Sequence, residues 1–225
     1  NWSDNQNAVI SNNYMEMQYT NHGQHNGKVY GIIAHDSMIE SDTLVVWNPV
    51  HDSQAFGIIA NRSIIRNNVV DVDDSNAGYN WVGRPLESYG NESSRSIIEG
   101  NNITARNISY GIITSYADVV NNVITGENNS RTAIDISGGD VLISGNVITD
   151  MSLGIQSVNA QIDVQNNTIG STSSEVIKLS GENGSSIIKY NLLETTSGRG
   201  IVLENQNNVE LINNTIIGTE SADYA

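Results

Sequence analysis

The chain has 225 residues, enough for one sizeable domain. It carries 10 Lys and Arg against 25 Asp and Glu, a net charge of −15, which argues against nucleic acid and anionic membrane as partners. Cysteine is absent, so redox compartment is undiagnosed, and no apolar run approaches the ~18 residues of a membrane span.

In chain order, a polar pivot recurs, each time following a short apolar segment and leading into another. The pivots are Asn13, Asp42, Asn68, Asn102, Asn122, Asn146, Asn167, Asn191 and Asn214. Between them a second phrase returns. It reads Gly31-Ile32-Ile33-Ala34, Gly57-Ile58-Ile59-Ala60, Gly111-Ile112-Ile113-Thr114, Gly154-Ile155-Gln156-Ser157 and Gly200-Ile201-Val202-Leu203. Residues 14–30 and 69–95 lengthen the early periods and read as inserted loops. From Asn102 onward the pivots fall 20–24 residues apart. Self-similarity at such a period signals a solenoid.

Each period holds two or three short runs rich in Val and Ile, separated by Gly, Asn, Asp and Ser, which is strand-and-turn chemistry. No segment carries a capped helical stripe. Three short strands per coil suit an all-β parallel β-helix of about nine rungs, coils stacked ~4.8 Å apart. Alternation then predicts an inward column Ile32, Ile58, Leu86, Ile112, Ile134, Ile155, Ile177 and Ile201. The next inward column runs from Ala34 and Ala60 to Leu203. The pivots are expected to stack as an Asn ladder at a tight turn, themselves in the left-handed conformation.

On these repeats the chain resembles the right-handed parallel β-helix proteins, the pectin-lyase-like superfamily. It is most similar to the β-helix repeat or adhesin-like proteins of cell surfaces, over about residues 5–220. The resemblance implies a rigid extracellular scaffold; related folds also serve tailspikes and polysaccharide-degrading enzymes. Catalytic motifs of those enzymes do not transfer. Of the polygalacturonase set only an Asp-Asp, Asp73-Asp74, is present. No arginine stands as a pectate-lyase base. The Asp-Pro-His of alginate epimerases has as its nearest string Ile33-Ala34-His35-Asp36.

Most of the aromatics fall before residue 117. The aromatics Trp47, Tyr79, Trp81 and Tyr89 offer sugar-stacking faces, or pack loops onto the wall. By register Glu87 and Asp135 lie two rungs apart on one outward column, about 9–10 Å at the backbone, near the upper end of the carboxyl separation of inverting glycosidases. With Arg84 nearby and His35 on the next outward column, they form an acid–base hypothesis. The alternative is a solvated face. Asp71, Asp73 and Asp74 form an acidic cluster whose hard oxygens suit Ca²⁺. Nine N-x-Ser/Thr sequons occur, and Asn61, Asn91, Asn107, Asn128 and Asn183 are the glycosylation candidates. Sequons at Asn102, Asn166 and Asn213 fall at the ladder turn, where a glycan is not expected to fit.

The expectation is a single domain over residues 1–225, a processed chain or a piece of a longer one. It would lie outside the cell or on its surface, as an adhesive scaffold meeting a glycan, another surface-protein subunit or a second copy of itself. A polysaccharide hydrolase or lyase is the alternative.

Overall fold

The computed structural model describes residues 7–19, 27–48, 54–74, 83–108, 110–128, 130–181 and 185–218. Every regular element is a β-strand, and every strand pairing is parallel except one isolated bridge, Asn91 to Ser94. The chain winds as a right-handed solenoid whose coils each lay one strand on three faces.

The first face opens with Val9–Ser11, Met38–Glu40, Ile64–Arg66, Ser96–Glu99 and Ala117–Val120. The second is a nine-stranded wall beginning with Tyr14–Gln18, Thr43–Trp47, Val69–Asp73, Asn102–Arg106 and Val123–Glu127. The third opens with Lys28–Ile33, Gln54–Ile59, Arg84–Tyr89 and Tyr110–Ser115. The 13-residue strands Thr132–Ser144 and Leu153–Gln165 run from the third face around the corner onto the first.

The inward columns follow the predicted register. Ile32 pairs with Ile58, Ile58 with Leu86, Leu86 with Ile112, and so on through Ile134, Ile155 and Ile177 to Ile201. Together with the inward residues of the other faces they make one continuous apolar core. A stack of this kind buries its aliphatic side chains against the coils above and below rather than around a globular centre.

The ladder forms, with one correction. Its fourth member is Asn101, not Asn102. Asn101 is buried, whereas Asn102 belongs to the second-face strand, pairs with Val69 and Val123, and is exposed. From Asn68 to Asn191, each amide Nδ2 donates to the Oδ1 of the next ladder residue at 2.9–3.0 Å. It also donates to a carbonyl of the preceding coil, as Asn101 does to Ile65. The left-handed conformation falls on the residue before each pivot: Asn12, Ser41, Asn67, Gly100, Asn121, Gly145, Asn166, Tyr190 and Asn213. This division explains the Asn-Asn doublets. The first Asn turns the corner in a conformation it tolerates well, and the second supplies the amide.

The corner between first and second faces always takes two residues. The corner between second and third faces takes from two to ten, Asp74–Gly83 being the longest. The expected insertions are thus narrower than 14–30 and 69–95, since Tyr14–Gln18, Val69–Asp73 and Arg84–Tyr89 are strands within them.

Candidate functional site

At the Gly-Ile phrase the strict alternation breaks. A Cβ on Gly31 would lie 2.6 Å from the Leu44 side chain and from the Gly57 carbonyl, so glycine faces inward like the Ile that follows it. The residue before the glycine is therefore turned outward. Tyr30, Phe56 and Arg84 stand in line there. Three residues later the next outward column holds Ile33, Ile59, Glu87, Ile113 and Asp135. Tyr89, two residues beyond Glu87, lies at the edge of the same patch.

These side chains interlock. The Tyr30 and Phe56 rings stack with centroids 4.9 Å apart. Arg84 and Lys28 both sit 5.9 Å from the Phe56 centroid, within cation–π range. Arg84 Nη1 is 2.5 Å from Glu87 Oε2. The buried Nε of Arg84 finds no acceptor among the described residues. Asp135 lies two coils from Glu87, with Ile113 between them in the column and almost fully covered.

Burial dominates the electrostatics. The Asp135 carboxyl is pushed up by desolvation, against an opposing pull from the Arg84 charge. The Tyr89 phenol is pushed up to about 12, first by burial and then by the Glu87 carboxylate beside it. Its hydroxyl remains a donor and hydrogen-bonds Glu87. Burial likewise raises the Tyr30 phenol, with Glu87 adding to it. The patch therefore joins the half-buried Tyr30 ring, stacked on a Phe56 that is itself only 5% exposed, a guanidinium paired with Glu87, and two carboxyl groups in different surroundings.

The remaining sequence candidates divide around this patch. His35 occupies the outward column of Tyr89 two coils away, and its Nδ1 accepts from the Asn61 backbone N–H at 3.1 Å. Asn61 in turn accepts from the Tyr89 N–H, so His35 is tied into a corner chain. Trp47 does not join Tyr89; it is on the second face, paired with Gln18 and Asp73. Tyr79 and Trp81 lie outside the described residues, as does Asn183.

The three aspartates do not converge on a common point. Asp71 is ion-paired with Arg106. Asp73 accepts from Asn107 Nδ2 at 3.1 Å. Asp74 is buried beneath Asn48, whose amide donates to it at 2.9 Å. Alternation carries Asp74 inward, and among the described residues no cluster of three or more His, Cys, Asp or Glu is placed to hold a metal.

The sequons also separate. The Asn107 amide nitrogen, the atom a glycan would occupy, is engaged by Asp73. Asn91 uses its Oδ1 to accept from the N–H groups of Ser93 and Ser94. Asn61 accepts from Tyr89, and Asn128 is an exposed left-handed corner residue. Asn102, expected in the ladder, is an exposed strand residue, and Asn166 is at the ladder turn as expected, with its side chain exposed.

Sequence reasoning missed Phe56 and the position of Tyr30. Strict alternation placed them inward; the recurring glycine one residue later is the signal that reverses it.

A family model described as "Right handed beta helix region" matches residues 89–224. The chain belongs to the right-handed β-helix family. Among solved structures it is similar to the A-module of mannuronan C-5 epimerase AlgE4 from Azotobacter vinelandii, with a TM-score of 0.51 and 14% identity. That match covers 96% of this chain and 78% of the other, and at such identity it bears on the fold alone. No curated protein sequence matches the chain.

Proposed function

We propose that the protein is an extracellular β-helix scaffold whose third face binds polysaccharide. One observation carries this reading: the Tyr30–Phe56 stack adjoins the Arg84–Glu87 pair on a single rigid sheet. Sugar rings pack their C–H faces on aromatic surfaces, while their hydroxyls take donors and acceptors at the rim. Glu87 and Asp135 supply acceptors at the rim, and the Arg84 guanidinium holds Glu87 in place. The fold neighbour is named as an enzyme acting on mannuronan, a polysaccharide, which supports this ligand class by analogy. A cell or virion surface is the setting that fits, with another surface subunit as an alternative partner.

A second reading is a polysaccharide hydrolase or lyase. It is favoured by the raised Asp135 carboxyl, which stands two coils from a Glu87 held by an arginine. Two carboxyl groups in unlike environments are what acid–base cleavage requires.

The test incubates the protein with acidic and neutral polysaccharides and reads retention, reducing ends and unsaturated products. Retention that Phe56→Ala lowers at least tenfold, without product, supports the scaffold. Product abolished by Glu87→Gln or Asp135→Asn supports the enzyme. Retention unchanged in Phe56→Ala and Arg84→Ala would remove the third face from both readings.

A further inference from the structure

The second face carries a groove of its own. It is about 250 Å³ and is lined by Glu16, Val45, Trp47, Asp71, Asp73 and Arg106. It crosses the first four coils, on the outward columns Glu16–Val45–Asp71 and Trp47–Asp73–Arg106. The third-face patch lies on another sheet, so the two sites do not share a wall.

We propose that this groove is a separate binding site for a non-acidic sugar, with the ring seated against Trp47. Trp47, the last residue of its strand, remains 38% exposed although strands pair with it on both sides, through Gln18 and Asp73. An indole left open beside polar side chains offers a flat apolar surface, to which a pyranose ring is complementary.

The charged groups around it select the ligand. Three carboxylates, Glu16, Asp71 and Asp73, face one guanidinium, Arg106. Arg106 is already committed, pairing with Asp71 and, at 2.8 Å, with Glu127. Those two carboxylates hold its charge firmly. Asp73 accepts one bond from Asn107, and Glu16 one from the Tyr14 hydroxyl at 3.1 Å. A carboxylate has roughly four acceptor positions, so both keep acceptors to offer. What remains is acceptors beside an aromatic face. A ligand that fits brings donors and an apolar face: sugar hydroxyls, or the ammonium of an amino sugar. A uronate brings a further negative charge to a groove with no uncommitted cation among its described lining residues.

The inference does not depend on the third face, and the experiment keeps them apart. Titration calorimetry is run with chitohexaose (neutral), a fully deacetylated chitosan hexamer (cationic) and hexamannuronate (anionic). The comparison covers the native chain, Trp47→Ala, Asp73→Asn and the third-face variant Phe56→Ala. Saturable binding of at least one non-acidic hexamer is expected, weakened tenfold or more by Trp47→Ala and severalfold by Asp73→Asn, and unchanged in Phe56→Ala. Hexamannuronate is expected to bind at least tenfold more weakly. Asp73→Asn keeps side-chain size and decides the matter if Trp47→Ala fails to fold. Absence of binding by both non-acidic hexamers, binding indifferent to both second-face variants, or preference for the uronate overturns the proposal.

Discussion

Arg84 is held 2.5 Å from Glu87 on its own strand while its guanidinium lies over Phe56 of the neighbouring coil. One cation thus links the aromatic and acidic halves of the third-face patch, and it also lowers the Asp135 carboxyl against the effect of burial. Arg84→Ala is expected to raise the Asp135 pKa further, because desolvation is then unopposed by that charge. Carbon NMR of the Asp135 carboxyl across pH would read the shift. A titration unmoved or lowered would show that the two groups do not interact.

The adjacent asparagines Asn101 and Asn102 provide a direct comparison. Asn101→Ala removes donors to Ile65 and Asn122 and leaves the Asn68 N–H and amide facing a methyl group. Buried unsatisfied groups cost roughly 1–3 kcal/mol each, so a loss of about 3 kcal/mol is expected in urea unfolding. Asn102→Ala, at an exposed strand position, is expected to stay within about 0.5 kcal/mol. Equal losses would mean that the ladder assignment is wrong.

Asp42 is the one ladder member from Asn13 to Asn214 without an amide. Its Oδ1 accepts from Asn13, but its buried Oδ2 has no partner among the described residues. Asp42→Asn places a donor where other coils have one, opposite Asn68 Oδ1. A gain of about 1 kcal/mol is expected, visible as a higher Tm; a lower Tm at neutral pH would refute it.

Asp74 makes stability depend on pH. Burial pushes its carboxyl up to about 7, with the Asn48 amide opposing. The folded state therefore holds a proton that the unfolded chain, with an ordinary carboxyl, has already released. Through this group stability is greatest below about pH 4 and falls as pH rises to about 7, after which the loss is complete. The cost is on the order of a few kcal/mol. Asp74→Asn should flatten that window and stabilise the protein at pH 8, as urea unfolding at several pH values would show. A slope unchanged by the substitution would assign the dependence elsewhere.

Much of this architecture could be read in the chain because each coil repeats the same demand. Ile32 through Ile201 occupy one column, and a period-two pattern places them without ambiguity. The errors arose where neighbours are chemically alike or the period breaks. In Asn101-Asn102, composition cannot say which amide enters the ladder; the register of the following strand decides. Tyr14–Gln18 reads as a loop because Tyr, Met and Gln replace the usual Val and Ile, yet it is a strand. Phe56 was overlooked because an inward glycine shifts alternation by one. Of the aspartates 71, 73 and 74, the first two share the outward face of one strand, whereas Asp74, just past its end, is buried, so proximity in sequence does not bring the three together.

The constant two-residue corner between first and second faces, against variable corners at the other two edges, makes the solenoid a display frame with two adjustable margins. A foreign peptide spliced between Glu127 and Thr132 would lengthen a segment that is already free to vary between coils. A single residue added between Val120 and Val123 would instead put the following amides out of step with their neighbours. New specificities can therefore be acquired along the two variable edges while the stack that carries them stays unaltered.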